Sequence, residues 1–104
     1  MTPPVSLGDL QQLTMLAVAR LGRAAFADAV RQELHEVAER NVAVATVHVT
    51  LVRLEKQGLV RSTRRAAPEG GRERRYFALT PEGREALAAA RRAHERMWRG
   101  VAPQ

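Results

Sequence analysis

Residues 44–60, VATVHVTLVRLEKQGLV, and residues 70–83, GGRERRYFALTPEG, contain the periods that decide the fold. Val44, Val47, Leu51 and Leu54 recur at helical spacing, which predicts a helix over about Ala43–Gln57 with Gly58 as its terminator. The β-branched run Val42–Thr50 pulls toward a strand, but the 44/47/51/54 period outweighs it. After Gly58 the period shortens. Leu59–Arg65 and Arg72–Leu79 are β-prone runs separated by Ala66-Ala67-Pro68-Glu69-Gly70-Gly71, the pattern of an antiparallel hairpin with a Pro/Gly tip. Thr80-Pro81-Glu82 then opens another helix, with Thr as N-cap, Pro in the first turn and Glu near the positive end of the helix dipole. That helix is expected to run to about Arg99 and to end at Gly100.

Upstream, a helix is expected from about Ala24 to Glu39. Phe26, Val30, Leu34 and Val37 form its inward stripe, and Asp28, Arg31, Gln32, His35, Glu36 and Glu39 its wet face. Arg40-Asn41-Val42 breaks the pattern, and Asn41 suits the left-handed backbone of a tight turn. The first helix spans Asp9–Leu21. Leu10, Leu13, Ala17 and Leu21 keep helical spacing, while Met15, Leu16, Val18 and Ala19 cover most of the remaining circumference, so one face packs inside the domain and another awaits a partner. Leu87, Ala90, His94, Met97 and Val101, with Trp98 beside them, repeat at heptad-like spacing along the last helix, a stripe longer than so small a domain can absorb. The order is helix, helix, tight turn, helix, hairpin, helix. The fold class is therefore mainly α with a small β-hairpin (α+β): a winged helix-turn-helix unit over residues 1–80, continued within the same compact unit by a dimerisation helix over 81–101.

Composition narrows the function. The 104 residues allow one domain, and 45% hydrophobic with 27% charged residues is globular. Cysteine is absent, which excludes disulfide scaffolds, thiolate zinc sites and cysteine nucleophiles. No apolar run approaches the ~20 residues needed to span a bilayer and no signal segment is evident, so a cytoplasmic, nucleoid-associated protein is expected. Seventeen Lys+Arg against eleven Asp+Glu give a net charge of +6. Eight basic and three acidic residues fall between Arg53 and Arg75, a local excess of +5, so the charge gathers on the third helix's end and the hairpin. Concentrated cations of this kind mark a nucleic-acid face. Lys56 is the one lysine. The arginine skew has a genomic explanation in high GC content, yet arginine remains the better phosphate fork.

The two quoted blocks, together with Leu7-Gly8-Asp9-Leu10-Gln11-Gln12-Leu13, resemble the PadR family of bacterial transcriptional regulators over about residues 6–99. The resemblance implies a homodimeric winged helix-turn-helix repressor. In such a protein the last helix, with the first, builds the dimer, the third helix and wing bind an operator, and a small effector often relieves repression. Four residues depart from the family pattern: His48 where Tyr is usual, Ala45 where Gly is usual, and Phe26-Ala27, near which the family more often shows Tyr-Gly. The first bears on specificity, because the Tyr is expected to touch DNA; His48 can still donate a hydrogen bond there.

The candidate DNA contacts are Thr46, His48, Val49, Arg53, Lys56, Arg64, Arg65, Arg72 and Arg74. Thr46 and His48 would hydrogen-bond in the major groove and Val49 would meet a thymine methyl or a sugar, while the wing arginines reach the minor groove and phosphates. The alternatives are a solvated helix face and an edge strand guarded by charge. Arg53 is the ambiguous member, since it can instead pair with a carboxylate such as one on the second helix. The candidate dimer residues are Leu10, Leu13, Leu16, Leu87, Ala90, His94, Met97, Trp98 and Val101. Trp98 and Met97 can line a pocket for a small apolar effector between subunits, or simply pack the dimer. No cofactor and no metal site is expected, since His35, His48 and His94 lack ligand spacing. A winged-helix module that binds another protein is the main competing function. With Ser6 and Ser62 the only serines and no thiol, an enzyme is the weakest reading.

Overall fold

The computed structural model describes residues 7–103. The elements are α1 (Asp9–Leu21), a 3-10 turn (Gly22–Ala24), α2 (Ala27–Ala38), α3 (Val44–Lys56), β1 (Val60–Ala66), β2 (Glu73–Leu79) and α4 (Pro81–Trp98). Residues 1–6 of the unit expected over 1–80 lie outside the described residues.

α1 starts where the sequence places it, with the Gln11 side chain accepting from the Gly8 amide at 3.1 Å. α2 starts three residues later than expected. Residues 22–24 close a 3-10 turn, and Ala25–Phe26 are extended because they pair with the hairpin. The Phe77 amide donates to the Ala25 carbonyl at 2.8 Å, and Phe26 forms a bridge with Tyr76. The left-handed residue of the helix-turn-helix is Glu39, at φ 55°, not Asn41. It stands directly after the last helical residue, where the Glu39 and Arg40 amides return to the Leu34 carbonyl and close the helix end.

The β1–β2 register runs from Val60↔Leu79 to Ala66↔Glu73. Alternation puts Arg61, Thr63 and Arg65 of β1 on one face with Arg74, Tyr76 and Ala78 of β2. Ser62, Arg64, Arg75 and Phe77 take the opposite face. Gly70 and Gly71, both at positive φ, turn the tip.

One core joins the three N-terminal helices to the base of the hairpin. Met15 and Val18, Val30 and Leu34, and Val47, Leu51 and Leu54 meet Leu59, Val60, Phe77 and Leu79, all buried. Burying each such side chain contributes on the order of 2 kcal/mol before conformational entropy is set against it. On α1, Met15, Ala17 and Val18 occupy the centre, and Leu10, Leu13 and Leu21 only flank it, half-buried. Two expected core residues are outside. Val37, in the last turn of α2, is 53% exposed because Leu34 is the last side chain that reaches the centre. Val44, the first residue of α3, is 44% exposed, and Thr50 is buried in the next turns, its hydroxyl donating to the Thr46 carbonyl at 2.8 Å. α4 carries one buried residue, Gly83. The rest of the helix runs along and then beyond the body, so that the molecule reaches 53 Å in its longest dimension.

Candidate nucleic-acid interface

α3 is held by Val47, Leu51 and Leu54, so its period carries Thr46, His48, Val49, Arg53 and Lys56 to solvent. Val49 is 49% exposed on that face. Arg53 makes no ion pair among the described residues. The ion pair near it is made by Arg75, with Glu55 of α3 itself. The Arg75 guanidinium donates to Glu55 Oε1 and, at 3.1 Å, to Ser62 Oγ, and Ser62 Oγ donates to Glu55 Oε2 at 2.6 Å.

This clamp ties the last turn of α3 to the inner face of the wing. The hydrogen bond from Ser62, assisted by the Arg75 charge and opposed by burial, holds the Glu55 carboxyl below its ordinary value near 4.5. A lowered native value stabilises the fold above the ordinary carboxylate range, and that stabilisation is lost as pH falls through it. Ser62→Ala should therefore unfold more easily than wild type at pH 7 by about 1 kcal/mol, with the gap closing below about pH 4. Denaturant melts across that range are the check, and an unchanged gap at pH 3 would show that Glu55 is not its source.

Across the ribbon, Arg64 faces Arg75 and Arg65 faces Arg74. Like charges directly opposite are destabilising unless they are compensated. Three of the four are. Arg75 has Glu55, and Arg74 pairs with Glu69 and lies 4.1 Å over the Phe26 ring. Arg65 lies 3.8 Å over Tyr76 and donates to the Arg23 carbonyl. Phe26 and Tyr76 meet edge to face at 5.8 Å, so the stack fastens the wing's outer face to the start of α2. Arg64 remains exposed and without an ion-pair partner among the described residues, and so does Arg72 at the tip.

The structure thus sorts the proposed contacts. Thr46, His48, Val49, Arg53, Lys56, Arg64 and Arg72 are free at the surface, whereas Arg65 and Arg74 are engaged within the molecule. The cations are not all on one side, because Arg61, Arg65 and Arg74 occupy the ribbon face away from Arg64 and Arg75. The Phe26–Tyr76 stack and the Glu55 clamp carried no signal in the sequence beyond an aromatic beside an apolar run and a lone Glu.

The residues expected at a dimer contact fall into two groups. Leu10, Leu13, Leu87 and Ala90 are half-buried, the first three against the core, and Leu16 is exposed. His94, Met97, Trp98 and Val101 surround an open apolar concavity of about 350 Å³ at the far end of α4. There Trp98 Nε1 donates to His94 Nδ1 at 3.2 Å. Ala86, Ala89, Ala90 and Ala93 add a second apolar groove of about 790 Å³ along α4, continued by Leu59 and Leu7. No cluster of His, Asp or Glu able to hold a metal, and no helix long and apolar enough to cross a membrane, occurs among the described residues.

The profile of the transcriptional regulator PadR-like family matches residues 15–89. Transcriptional regulator Rv3488 of Mycobacterium tuberculosis is 45% identical over 60 residues, 58% of this chain and 54% of that protein. The chain thus spans about half the length of that curated relative. Among solved structures, a PadR-like transcription factor from Bacteroides fragilis is 26% identical, with a TM-score of 0.70 over 85% of this chain and 82% of that one. A PadR family transcriptional regulator from Eggerthella lenta, also 26% identical, gives a TM-score of 0.68 over 89% and 82%.

Proposed function

The chain belongs to the PadR-like family of transcriptional regulators, a family of regulators rather than enzymes, and from that premise we propose that it is a homodimeric repressor that reads a palindromic operator. The supporting observation is the set of exposed cations, Arg53 and Lys56 on α3 and Arg64 and Arg72 on the wing, that lack carboxylate partners among the described residues. α3 enters the major groove, where Thr46 and His48 hydrogen-bond to base edges and Val49 meets a thymine methyl. Arg64 and Arg72 contact the backbone or the minor groove from the wing, and Arg53 and Lys56 meet phosphates beside α3. Arg65 and Arg74 keep the wing at its angle. α4 serves as the dimerisation helix, pairing through its apolar stripe with a second copy. Two α3 helices then meet successive major grooves about 34 Å apart. A small apolar effector, where one acts, sits against Met97 and Trp98 and alters that pairing.

Fluorescence anisotropy on the duplex upstream of the protein's own gene tests this. With about six to eight phosphates neutralised per dimer, log affinity should fall against log salt with a slope near −5 to −7. Arg72→Ala should weaken all sequences alike and reduce the slope magnitude by about two per dimer, because each subunit gives up one phosphate. Arg74→Ala should weaken binding with the slope preserved, since it disturbs the wing without removing a contact. His48→Ala should instead change the preferred sequence. A flat salt response, with no discrete complex, would favour a protein-binding role for the same surface.

A further inference from the structure

Behind the wing, on the face turned away from α3, lies a second concentration of positive charge that operator binding leaves unused. A concavity of about 450 Å³ opens there between the end of α1, the 3-10 turn, the outer face of the hairpin and the start of α4. Arg23, Arg61, Arg65 and Arg84 line it together with Thr63 and Tyr76, and no carboxylate does. The register explains the convergence. Arg61, Thr63 and Arg65 alternate along β1 and so share one face, while Arg84 arrives from the second turn of α4 and Arg23 from the 3-10 turn.

Arg65 is held in place by the Tyr76 ring and the Arg23 carbonyl. Arg23, Arg61 and Arg84 are exposed and make no ion pair among the described residues. Arg20, Arg31, Arg40, Arg74, Arg75, Arg91 and Arg92 each have a carboxylate partner, while Arg53, Arg64 and Arg72, like the arginines of this pocket, have none but do not line a common concavity with it. Here several guanidinium groups gather around one hollow with none. Their mutual repulsion is relieved by an anion, and the flat donor fork of arginine matches tetrahedral oxyanions.

We propose that this pocket is a binding site for a phosphate-type anion, gripped by Arg61, Arg65 and Arg84 with the Thr63 hydroxyl as a further donor. The anion enters from behind the wing. It draws on Arg65, the wing side chain that donates to the Arg23 carbonyl of the 3-10 turn, so its occupancy acts on the wing's anchorage. The phosphate can belong to a free phosphorylated molecule or to a duplex backbone beyond the operator core, and the recognition chemistry is the same.

Isothermal titration of pyrophosphate into the full chain without DNA, at ionic strength held constant with chloride, tests the site independently of the operator reading. Saturable binding is expected. It should weaken about tenfold or more in Arg61→Gln/Arg84→Gln, which loses two charge-assisted contacts, and by no more than about twofold in Arg53→Gln/Arg64→Gln, which loses the same charge elsewhere. All four side chains are exposed, and thermal melts verify that both variants fold. Equal weakening in the two variants, or heat that does not saturate, overturns the proposal by reducing the effect to net charge. The DNA salt slope of Arg61→Gln/Arg84→Gln then identifies the source. An unchanged slope marks a free anion, and a slope reduced in magnitude by about two to four per dimer marks a backbone phosphate.

Discussion

Gly83→Ala lowers the thermal unfolding midpoint by on the order of 15 °C, whereas Gly8→Ala moves it by no more than about 2 °C. Gly83 is the third residue of α4 and is buried against the chain just ahead of β1. A Cβ there would stand 2.0 Å from the Leu59 carbonyl oxygen and 3.0 Å from its carbon, inside any contact distance that atoms tolerate. At Gly8 the nearest atom to an added Cβ is the Gln11 side-chain oxygen at 3.9 Å, an ordinary contact.

The overlap at Gly83 has no easy release, because both backbones are fixed by the same joint. The Leu59 carbonyl accepts from the Thr80 amide at 3.1 Å, the Thr80 hydroxyl donates to the Gly58 carbonyl at 2.6 Å, and the Gly83 amide donates to that hydroxyl at 3.0 Å. Moving α4 away breaks the cap, and moving Leu59 breaks the entry to β1. An overpacking penalty of about 3 kcal/mol follows, and a domain of this size loses roughly 4–8 °C per kcal/mol. Circular dichroism melts of the two variants decide the matter. A midpoint for Gly83→Ala within about 3 °C of wild type would show that α4 is not clamped at this joint. The joint also has a functional side, since it sets the direction in which α4 leaves the body.

Much of this was legible in the sequence because it depends on local chemistry. The Thr80-Pro81 start, the Gly58 stop and the 47/51/54 period of α3 are encoded within a few residues of where they act, and the structure has them within a residue of the expected places. What failed depends on distant partners. The late start of α2 follows from Ala25–Phe26 pairing with β2 some fifty residues on, which no helical period reports. Val37 and Val44 keep the spacing of their stripes but lie at helix ends, where the apolar period outlasts the core it faces. Counting charge along the chain marked a cationic region in sequence. It could not separate Arg64 and Arg72 from Arg65, Arg74 and Arg75, because strand alternation and a carboxylate on another element decide which guanidinium groups are free.

Met97→Glu/Trp98→Glu converts the proposed dimer to monomer and lowers operator affinity by about 10²–10⁴-fold with α3 and the wing untouched. Met97 is 79% and Trp98 63% exposed in the single chain, and neither belongs to the core, so two carboxylates there leave the fold intact. In the proposed pair of subunits the same positions would lie under the partner, where each unpaired carboxylate costs several kcal/mol to bury. A subunit that has lost its twin binds one half-site. It forfeits the effective concentration with which the second α3 would find the next groove, which is why an end-of-helix change reaches the operator. Sedimentation velocity at about 10 μM gives the mass, and anisotropy on whole and half operators separates lost tethering from lost contact. Binding to the half-site should be unchanged while binding to the whole site falls to meet it. A double variant that stays dimeric would move the interface away from the tip of α4, toward the alanine groove beside Ala86 and Ala93 and the exposed Leu16 of α1.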